Sequence, residues 1–334
     1  MEKNNWTIPD LLQLSGGYWA ACALHAGVKL DVFSPLAEGA QSASEVAQGC
    51  SADPRATAML LDALAALGFL VKAEGCYALT AFAAAHLVRA APGYLGHIIM
   101  HHHHLMEGWA KLPVAVRSGG PVRSSVSHGA EAEVRESFLL GMFNLASQLA
   151  PLVARSIDLS GRHSLLDLGG GPGTYAIHFC LQNPGLAATV FDLPTTRIFA
   201  EKTIARFGLE GRIAFCPADY HADAVPNGFD VAWLSHILHS EGAESCLAIL
   251  RKGVAALEPG GILLVQEFIL NDAKDGPPFP ALFSLNMLIG TGDGRAYAQG
   301  ELAAMMTAAG LHEVRRLPVE LPNGAGILLG QKRS

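Results

Sequence analysis

The segment with the most evident chemistry is a run of glycines between a short apolar stretch and a helical pattern, in LLDLGGGPGTYAIHF at residues 165–179. Glycines let a backbone approach a ligand closely, as in dinucleotide-binding loops that seat a pyrophosphate at a helix N-terminus. Two details separate this loop from those. Asp167 precedes the glycines inside the predicted strand, and Pro172 removes one N–H donor. The loop therefore suits a ligand that has no phosphate.

Acidic residues also follow the next two predicted strands. Asp192 ends the strand in VFDLP, where its carboxylate could accept hydrogen bonds from ribose hydroxyls, and Asp219 follows in CPADY, near the expected position of an adenine edge. The loops contain no Lys or Arg that would bind a pyrophosphate. Together with Asp167, the two acids favour a cationic sulfonium nucleoside as the ligand.

A second candidate for chemistry is the histidine run in HIIMHHHHLMEGW at residues 97–109. His97 and His101 have the i,i+4 spacing that can chelate a metal ion on a helix. Apart from Glu107, no nearby Cys, Asp or Glu completes a ligand set. We therefore predict that the protein has no intrinsic metal site.

If the same run forms a helix, its histidine side chains point to two different sides. His102 and His103 fall within the stripe formed by the apolar residues of the segment, whereas three others share the opposite, solvated side, namely His97, His101 and His104. We expect the two inward histidines either to be satisfied inside a core or to contact a substrate.

The elements that position these residues change character along the chain. From residue 163 onward, short apolar strands alternate with helices, in SLLDL, AATVFDL, RIAFCPAD, FDVAWLS and GGILLVQEF. This pattern predicts a parallel sheet covered on both faces, with ligands at the carboxyl ends of its strands. Residues 96–155 are predicted to be helical, with a break at RSGGPVRSS.

Residues 11–95 read as short helices followed by a hairpin, a winged-helix pattern. Ser42 or Ser44 could cap one helix, Asp53 with Pro54 starts the next, and the hairpin FLVKAEGCYALT turns at residues 74–75. The second helix is rich in alanine and poor in basic residues, which favours packing or dimerisation over DNA binding.

Composition narrows the class of protein. The chain has 334 residues, half of them hydrophobic, and a formal net charge of −7, so we expect a sizeable core, a small-molecule partner and no nucleic acid. The N-terminus, MEKNNWTIPD, is unlike a signal peptide, and no apolar run is long enough to predict a membrane span. Six scattered cysteines favour reduced thiols and a cytoplasmic location.

Taken together, the motifs DLGGGPG, FDLP, ILH and EPGGILLVQEFIL make the chain resemble the class I S-adenosylmethionine-dependent methyltransferases. More narrowly, it is similar to the small-molecule O-methyltransferases, which include caffeate, isoflavone, acetylserotonin and bacterial natural-product enzymes. The resemblance implies an α/β, Rossmann-like catalytic domain at residues 156–334, a winged-helix dimerisation domain at 1–95, and a helical connector at 96–155 that contributes to the acceptor pocket.

The resemblance also implies a homodimer that converts S-adenosyl-L-methionine to S-adenosyl-L-homocysteine and methylates a hydroxyl of a small aromatic or heteroaromatic acceptor. The cofactor-binding positions that it implies are Asp167, Gly169, Gly171, Gly173, Asp192, Leu193, Asp219, Tyr220 and Ser235.

In the family, the general base is the histidine of an ILHDW motif, which matches His239 here. A phenol with a pKa of about 10 is a poor nucleophile until a base such as histidine takes its proton. Glu267, at the end of the next strand, matches an acid that orients this base. His236 is expected to act as a helix cap or packing residue.

The chain departs from the family pattern near this base. A second acid is expected near residue 296, which is Ala296, so that Asp293 or Glu301 would have to replace it; Glu301 also suits the first turn of a helix. Ser240 and Glu241 stand where the family has Asp and Trp, and Ser235 replaces a lysine of some relatives. Because relatives with this fold also hydroxylate, decarboxylate, close rings or methylate carbon, such chemistry stays an alternative.

Acceptor contacts in the family come from the connector and from the segment before the last helices. By alignment they fall on His102, His103, Leu105, Met106, Phe138, Met142 and Met287. Met and Phe side chains would favour a flat aromatic acceptor.

Overall fold

The computed structural model describes residues 6–124 and 132–334. By contacts the chain divides into two compact units, one comprising Met1–Leu105 with Glu136–Asn144 and the other Met106–Arg135 with Leu145–Ser334. The predicted connector thus contributes to both units. The three-part division with boundaries at residues 95 and 155 stays a prediction.

The first unit contains short helices and a small sheet. The helices are α1 (Ile8–Gly16), α2 (Tyr18–Lys29), α3 (Ala43–Gly49), α4 (Pro54–Ala66) and α5 (Ala81–His86), and the strands are β1 (Gln41–Ser42), β2 (Leu70–Ala73) and β3 (Cys76–Leu79). Ser42 caps α3 in a reciprocal capping box with Glu45, and Asp53 caps α4 ahead of Pro54. The hairpin turns at Glu74 and Gly75, which both have positive φ. These local predictions are confirmed.

Three connector helices follow, α6 (Gly96–Ala110), α7 (Leu112–Ser118) and α8 (Ala132–Ser156). Helix α7 ends before Gly119, which adopts the left-handed conformation, so the predicted break is confirmed. Helix α8 is long and apolar enough to cross a membrane by length and composition, although polar residues interrupt its apolar run, as the sequence predicted. Core helices of soluble proteins meet the same criterion, so this is weak evidence for a span.

The second unit is built on an eight-stranded sheet. Its strands are β4 (Ser164–Leu168), β5 (Ala187–Asp192), β6 (Ile213–Pro217), β7 (Phe229–Ser235), β8 (Leu257–Leu270), β9 (Tyr297–Ala298), β10 (Leu311–Arg316) and β11 (Ala325–Lys332). The order is β10-β11-β8-β7-β4-β5-β6, with β9 paired to β8. The five predicted strands pair in parallel, but β11 is antiparallel to both β8 and β10, which makes the sheet mixed.

Helices cover both faces of this sheet, namely α9 (Thr174–Gln182), α10 (Arg197–Arg206), α11 (Ala243–Ala256), α12 (Pro278–Gly290) and α13 (Gln299–Ala308). Strand β7 shows how the faces divide. Val231 and Trp233 belong to one core cluster, and Ala232 and Leu234 belong to the other, as alternation along a strand requires. The chain order reverses at β4, between β7 and β5, which is where a doubly wound sheet forms a ligand crevice at the strands' carboxyl ends.

Candidate active site

The glycine loop occupies the carboxyl end of β4. Gly169, Gly171 and Gly173 have φ values of 69°, 55° and 76°, in the left-handed region that favours glycine, and α9 begins directly after them. A Cβ atom at Gly169 would overlap Ile237, whereas one at Gly171 would meet nothing within 4 Å. The loop is thus packed against the protein on one side and open at Gly171, where a ligand could approach the backbone.

Asp167 lies beneath this loop. It is only 2% exposed, and its Oδ2 accepts a hydrogen bond from the Ala176 N–H at 3.3 Å. Burial raises the pKa of Asp167 to about 7, despite that hydrogen bond. Because its carboxyl group also packs against Gly170, Asp167 supports the loop from inside the unit.

Asp192 connects the second strand to the same loop. Its Oδ2 accepts the Gly171 N–H at 2.7 Å, and its Oδ1 accepts the Leu193 N–H at 2.7 Å and the Thr196 hydroxyl at 3.0 Å. These bonds hold the carboxylate at the carboxyl end of β5, against the glycine loop.

The loop after β6 also reaches this point. The Tyr220 ring lies 3.7 Å from where a Gly169 Cβ would be, and burial raises the pKa of its hydroxyl. Asp219 accepts the His221 N–H at 2.8 Å. Lys252 holds the loop by donating to the carbonyl groups of Tyr220, His221 and Asp223. The predicted acids and glycines therefore come together at one edge of the sheet, and Ser235 ends the neighbouring β7.

A histidine and a glutamate pair at the carboxyl ends of β7 and β8. His239 lies in a short 3₁₀ turn after β7, and its Nδ1 is 2.7 Å from Oε2 of Glu267. The His239 backbone N–H also donates to Oε1 of Glu267 at 3.2 Å. Because a carboxylate only accepts hydrogen bonds, Nδ1 of neutral His239 carries the proton, and Nε2 is the atom that can take another.

Glu267 is almost fully buried, with 2% exposure. Burial alone would raise the pKa of Glu267. His239 and His236, through their charges and hydrogen bonds, instead hold this pKa below its ordinary value. The group therefore remains a carboxylate at neutral pH, where it can stabilise a positive imidazole ring.

His236 faces the same carboxylate, and of its two predicted roles, helix cap or packing residue, the structure supports packing. Its Nδ1 lies 3.5 Å from Oε2 of Glu267, and its ring packs against Phe268 with centroids 4.3 Å apart. It reaches this position with φ of 58°, an uncommon conformation for a non-glycine residue. Ser235 pairs with Gln266 across β7 and β8, so the residues after them, 236 and 267, become neighbours.

The same three side chains could hold a metal ion. His236, His239 and Glu267 offer ligand atoms that all lie within 4.8 Å of one another. Two imidazoles and a carboxylate are ligands that suit Zn²⁺. This set lies at the strand ends, whereas the sequence directed attention to the pair His97 and His101.

Among the described residues, no hydrogen bond or ion pair joins His239 to Asp293 or Glu301, the two proposed replacements for the family's second acid. Ala296 is buried in a small apolar cluster with Leu270 and Ala298. Glu301 accepts the Ala298 N–H and pairs with Lys274 and Arg295, so its expected role in the first turn of a helix, here α13, is confirmed.

Asp293, the other proposed replacement, lies near Gly242.

Aromatic rings flank the base: the Phe283 ring contacts His239 edge-on at 4.8 Å, and the Phe268 ring lies at 6.4 Å. Phe268, Phe279 and Phe283 form a mutual cluster beside the base that sequence reasoning missed. The i,i+4 spacing of Phe279 and Phe283 on α12 was the available signal.

The histidine run on α6 is oriented differently from the prediction. His101 is buried, at 8% exposure, and His102 is exposed. His103 lies near Lys29, with 3.2 Å between His103 Nε2 and the amine, and beside the ring of His25. The buried stripe is Ile98, His101, Leu105 and Gly108.

The reason for this rotation is the packing of α8 on α6. Gly141 lets α8 approach the backbone of Ile98, and the Phe138 ring covers His101 with centroids 5.3 Å apart. The predicted inward direction of His102 is therefore wrong, and so is the predicted solvation of His101.

The other predicted acceptor contacts fall in both units. Leu105 is buried, and Phe138 and Met142 are partly buried on α8, all in the first unit. Met106 and Met287 belong to the second unit, where Met287 is buried on α12, one turn from Phe283. Their role in binding an acceptor stays a prediction.

Comparison with known proteins gives two matching family models. An O-methyltransferase domain matches residues 118–312, and an O-methyltransferase dimerisation domain matches residues 12–89. The chain is 37% identical to 3-hydroxy-5-methyl-1-naphthoate 3-O-methyltransferase of Streptomyces sahachiroi, over 97% of this chain and 95% of that one. It is 29% identical to acetylserotonin O-methyltransferase of Mus musculus, over 91% and 84% of the two chains.

Solved structures show the same likeness over nearly full length. PigF with SAH superposes with a TM-score of 0.89 at 28% identity, covering 98% of this chain and 100% of that one. Human N-acetylserotonin methyltransferase in complex with SAM gives a TM-score of 0.85 at 25% identity, with both chains fully covered.

Proposed function

Because the chain belongs to the S-adenosylmethionine-dependent O-methyltransferase family, we propose that it methylates a hydroxyl of a small aromatic acceptor with His239 as the general base. The observation that carries this proposal is the 2.7 Å contact between His239 Nδ1 and Glu267. The pair is placed beside the glycine loop, because Ile237, two residues before the base, packs on Gly169.

The residues of the loop fit S-adenosylmethionine. Gly171 leaves open space for a ligand, and the Asp192 carboxylate, a group of the kind that accepts ribose hydroxyls, lies directly against the Gly171 backbone. Acids lie at the ends of β4 and β5 and in the loop after β6, and the loops that follow these three strands contain no Lys or Arg, which suits a positively charged sulfonium. When bound, the cofactor supplies an electrophilic methyl group.

His239 would remove the acceptor's proton. A phenol with a pKa of about 10 is mostly protonated at neutral pH, and proton transfer to a positioned histidine makes its oxygen a competent nucleophile. Nε2 of His239 can accept that proton, because Nδ1–H is directed at Glu267. The resulting imidazolium is stabilised by the buried carboxylate of Glu267.

The acceptor we propose is a flat hydroxyaromatic compound, and a hydroxynaphthoate is a reasonable first choice. The cluster Phe268, Phe279 and Phe283 lies beside the base and could pack on an aromatic ring. The Streptomyces sahachiroi relative is named for a hydroxynaphthoate.

The test is methyl transfer from labelled S-adenosylmethionine to a panel of phenols, naphthols and hydroxynaphthoates, with wild type, His239→Gln and the exposed control His163→Gln. We expect an acceptor mass increase of one methyl group and a loss of about 100-fold or more in kcat for His239→Gln only. Full activity of His239→Gln would reject the base. A product altered by hydroxylation or decarboxylation, without S-adenosylhomocysteine, would indicate the alternative chemistry.

The assembly that we propose is a homodimer formed through the first unit. Helices α1 and α2 expose large apolar side chains, including Ile8, Leu12 and Trp19, and the dimerisation-domain match overlaps both helices. Groups of exposed apolar side chains commonly mark a surface that binds another protein chain. The winged-helix name, the absence of nucleic-acid and membrane partners and the cytoplasmic location stay predictions.

A further inference from the structure

Arg123, which follows α7, is held in a slot made by two glycines. The Val122 and Arg123 backbone N–H groups donate to the Ile289 carbonyl at 3.1 and 3.2 Å. A Cβ at Gly108 would lie 3.1 Å from Arg123 Cδ, and a Cβ at Gly290 would overlap the guanidinium group. The side chain thus passes between α6 and α12 in close contact with both glycines, and all of these residues belong to the second unit.

The guanidinium charge has no counter-ion among the described residues. Nε is buried without a hydrogen-bond partner, and Nη1 donates to the neighbouring Ser124 carbonyl at 3.3 Å. Burial lowers the pKa of Arg123, yet arginine stays charged in proteins. A partly buried cation with five donors is costly to leave without an anion, so this arrangement suits an anionic ligand.

Helix α12 connects Arg123 to the catalytic base. Phe283, Met287 and Gly290 are spaced i, i+4 and i+7, so they form one stripe along the helix. The Phe283 ring contacts His239, and Gly290 underlies the Arg123 guanidinium. At 1.5 Å rise per residue, the two ends of the stripe are about 10 Å apart, which matches a one- or two-ring acceptor with a hydrogen bond at each end.

We propose that Arg123 binds a carboxylate carried by the aromatic acceptor. This inference rests on the proposed methyl transfer, and it specifies the acceptor as a hydroxyaryl carboxylate. Its hydroxyl lies at His239, its ring lies along the stripe of Phe283 and Met287, and its carboxylate accepts two parallel N–H bonds from the guanidinium. Arginine favours this fork geometry, which a lysine ammonium cannot reproduce.

The experiment compares 3-hydroxy-1-naphthoate with 2-naphthol, which lacks only the carboxylate. The variants are Arg123→Met, which keeps the apolar stem, Arg123→Lys, and the exposed control Arg117→Met on α7. For wild type and Arg117→Met, we expect kcat/KM to favour the naphthoate by at least about tenfold, as charge-assisted hydrogen bonds allow. Arg123→Met should lose that preference because its KM for the naphthoate rises, whereas kcat/KM for 2-naphthol stays the same. Arg123→Lys should keep part of the preference.

Binding of both compounds to the S-adenosylhomocysteine complex, measured by calorimetry, separates this inference from the proposed activity. If neither compound is methylated but the naphthoate binds in an Arg123-dependent manner, the activity fails and the carboxylate site stands. Three results would overturn the site. Wild type could bind both compounds with equal affinity, Arg123→Met could keep the preference for the naphthoate, or Arg123→Met could lose the same factor in affinity for both compounds. The last would mean that Arg123 only braces the two helices.

Discussion

Glu267 Oε2 lies 2.7 Å from Nδ1 of His239 and 3.5 Å from Nδ1 of His236, so one buried carboxylate faces two imidazole rings. The shorter contact fixes the tautomer of His239, and the longer one brings a second titratable ring to the same charge. We therefore expect the environment of Glu267 to decide both the rate of the reaction and its sensitivity to cations.

Replacing Glu267 with Gln should lower kcat strongly. The amide keeps the shape of the side chain but removes the negative charge that stabilises the imidazolium, and it can present an N–H to Nδ1. We expect a loss of about 10²-fold or more in kcat, with little change in S-adenosylhomocysteine affinity. Steady-state kinetics and calorimetry measure the two quantities. The exposed substitution Glu244→Gln is the control, and an unchanged kcat in Glu267→Gln would contradict the role assigned to the carboxylate.

Asp167 should make the protein less stable as pH rises. Its folded-state pKa of about 7 lies above the ordinary aspartate value of 3.8, so the folded state holds a proton that the unfolded state releases between these values. Stability attributable to this group is therefore present at low pH and lost as pH rises through about 7, by roughly 4 kcal/mol at most. Asp167→Asn should flatten this part of a melting-temperature profile from pH 5 to 8. An identical profile for variant and wild type would refute the shift.

Zinc should inhibit by binding His236, His239 and Glu267. Their ligand atoms lie within 4.8 Å of one another, and a bound ion would occupy the base. We expect micromolar Zn²⁺ to inhibit reversibly, with recovery on adding a chelator, and His236→Asn to raise the inhibitory concentration at least about tenfold. Each rate is compared with the zinc-free rate of the same variant. Equal zinc sensitivity in His236→Asn would remove His236 from the ligand set.

Gly169→Ala should weaken binding of S-adenosylhomocysteine. The residue has φ of 69°, and an added Cβ would overlap Ile237. Because this conformation costs a non-glycine residue about 1–2 kcal/mol, the loop should move and affinity should fall about tenfold or more. Gly185→Ala is the matched control, since its added Cβ meets nothing within 4 Å. Calorimetric titration that finds equal affinities in both variants would argue against cofactor binding at this loop.

Charges introduced on the exposed apolar side chains of the first unit should dissociate the dimer. Leu12 and Trp19 are 66% and 70% exposed, and burying a glutamate in their place at an interface is costly. We expect Leu12→Glu with Trp19→Glu to be monomeric by light scattering, with an unchanged circular dichroism spectrum. Gln48→Glu, exposed on α3, should remain a dimer. Monomeric wild-type protein would reject the proposed assembly.

The sequence alone was sufficient for the elements with local causes. Five of the eight strands of the second unit, β4 to β8, follow from short apolar runs, the loop from glycines that take positive φ, and the caps of α3 and α4 from Ser42 and Asp53. The pairing of His239 with Glu267 followed from family likeness and from the rule that parallel strands end at one edge. These features depend on neighbouring residues or on a repeated topology, and both are visible in a linear pattern.

The tertiary structure decided what depends on contacts between distant segments. The approach of α8 at Gly141 selects His101 for burial, although the pattern of α6 fitted a stripe through His102 equally well. The register between β7 and β8 places His236 against Glu267. The slot for Arg123 is lined by two glycines that are more than 180 residues apart in sequence, Gly108 and Gly290. Sequence periodicity shows which side chains share a face of a helix or strand. Packing between distant segments determines which face is buried and which charged group can bind a ligand.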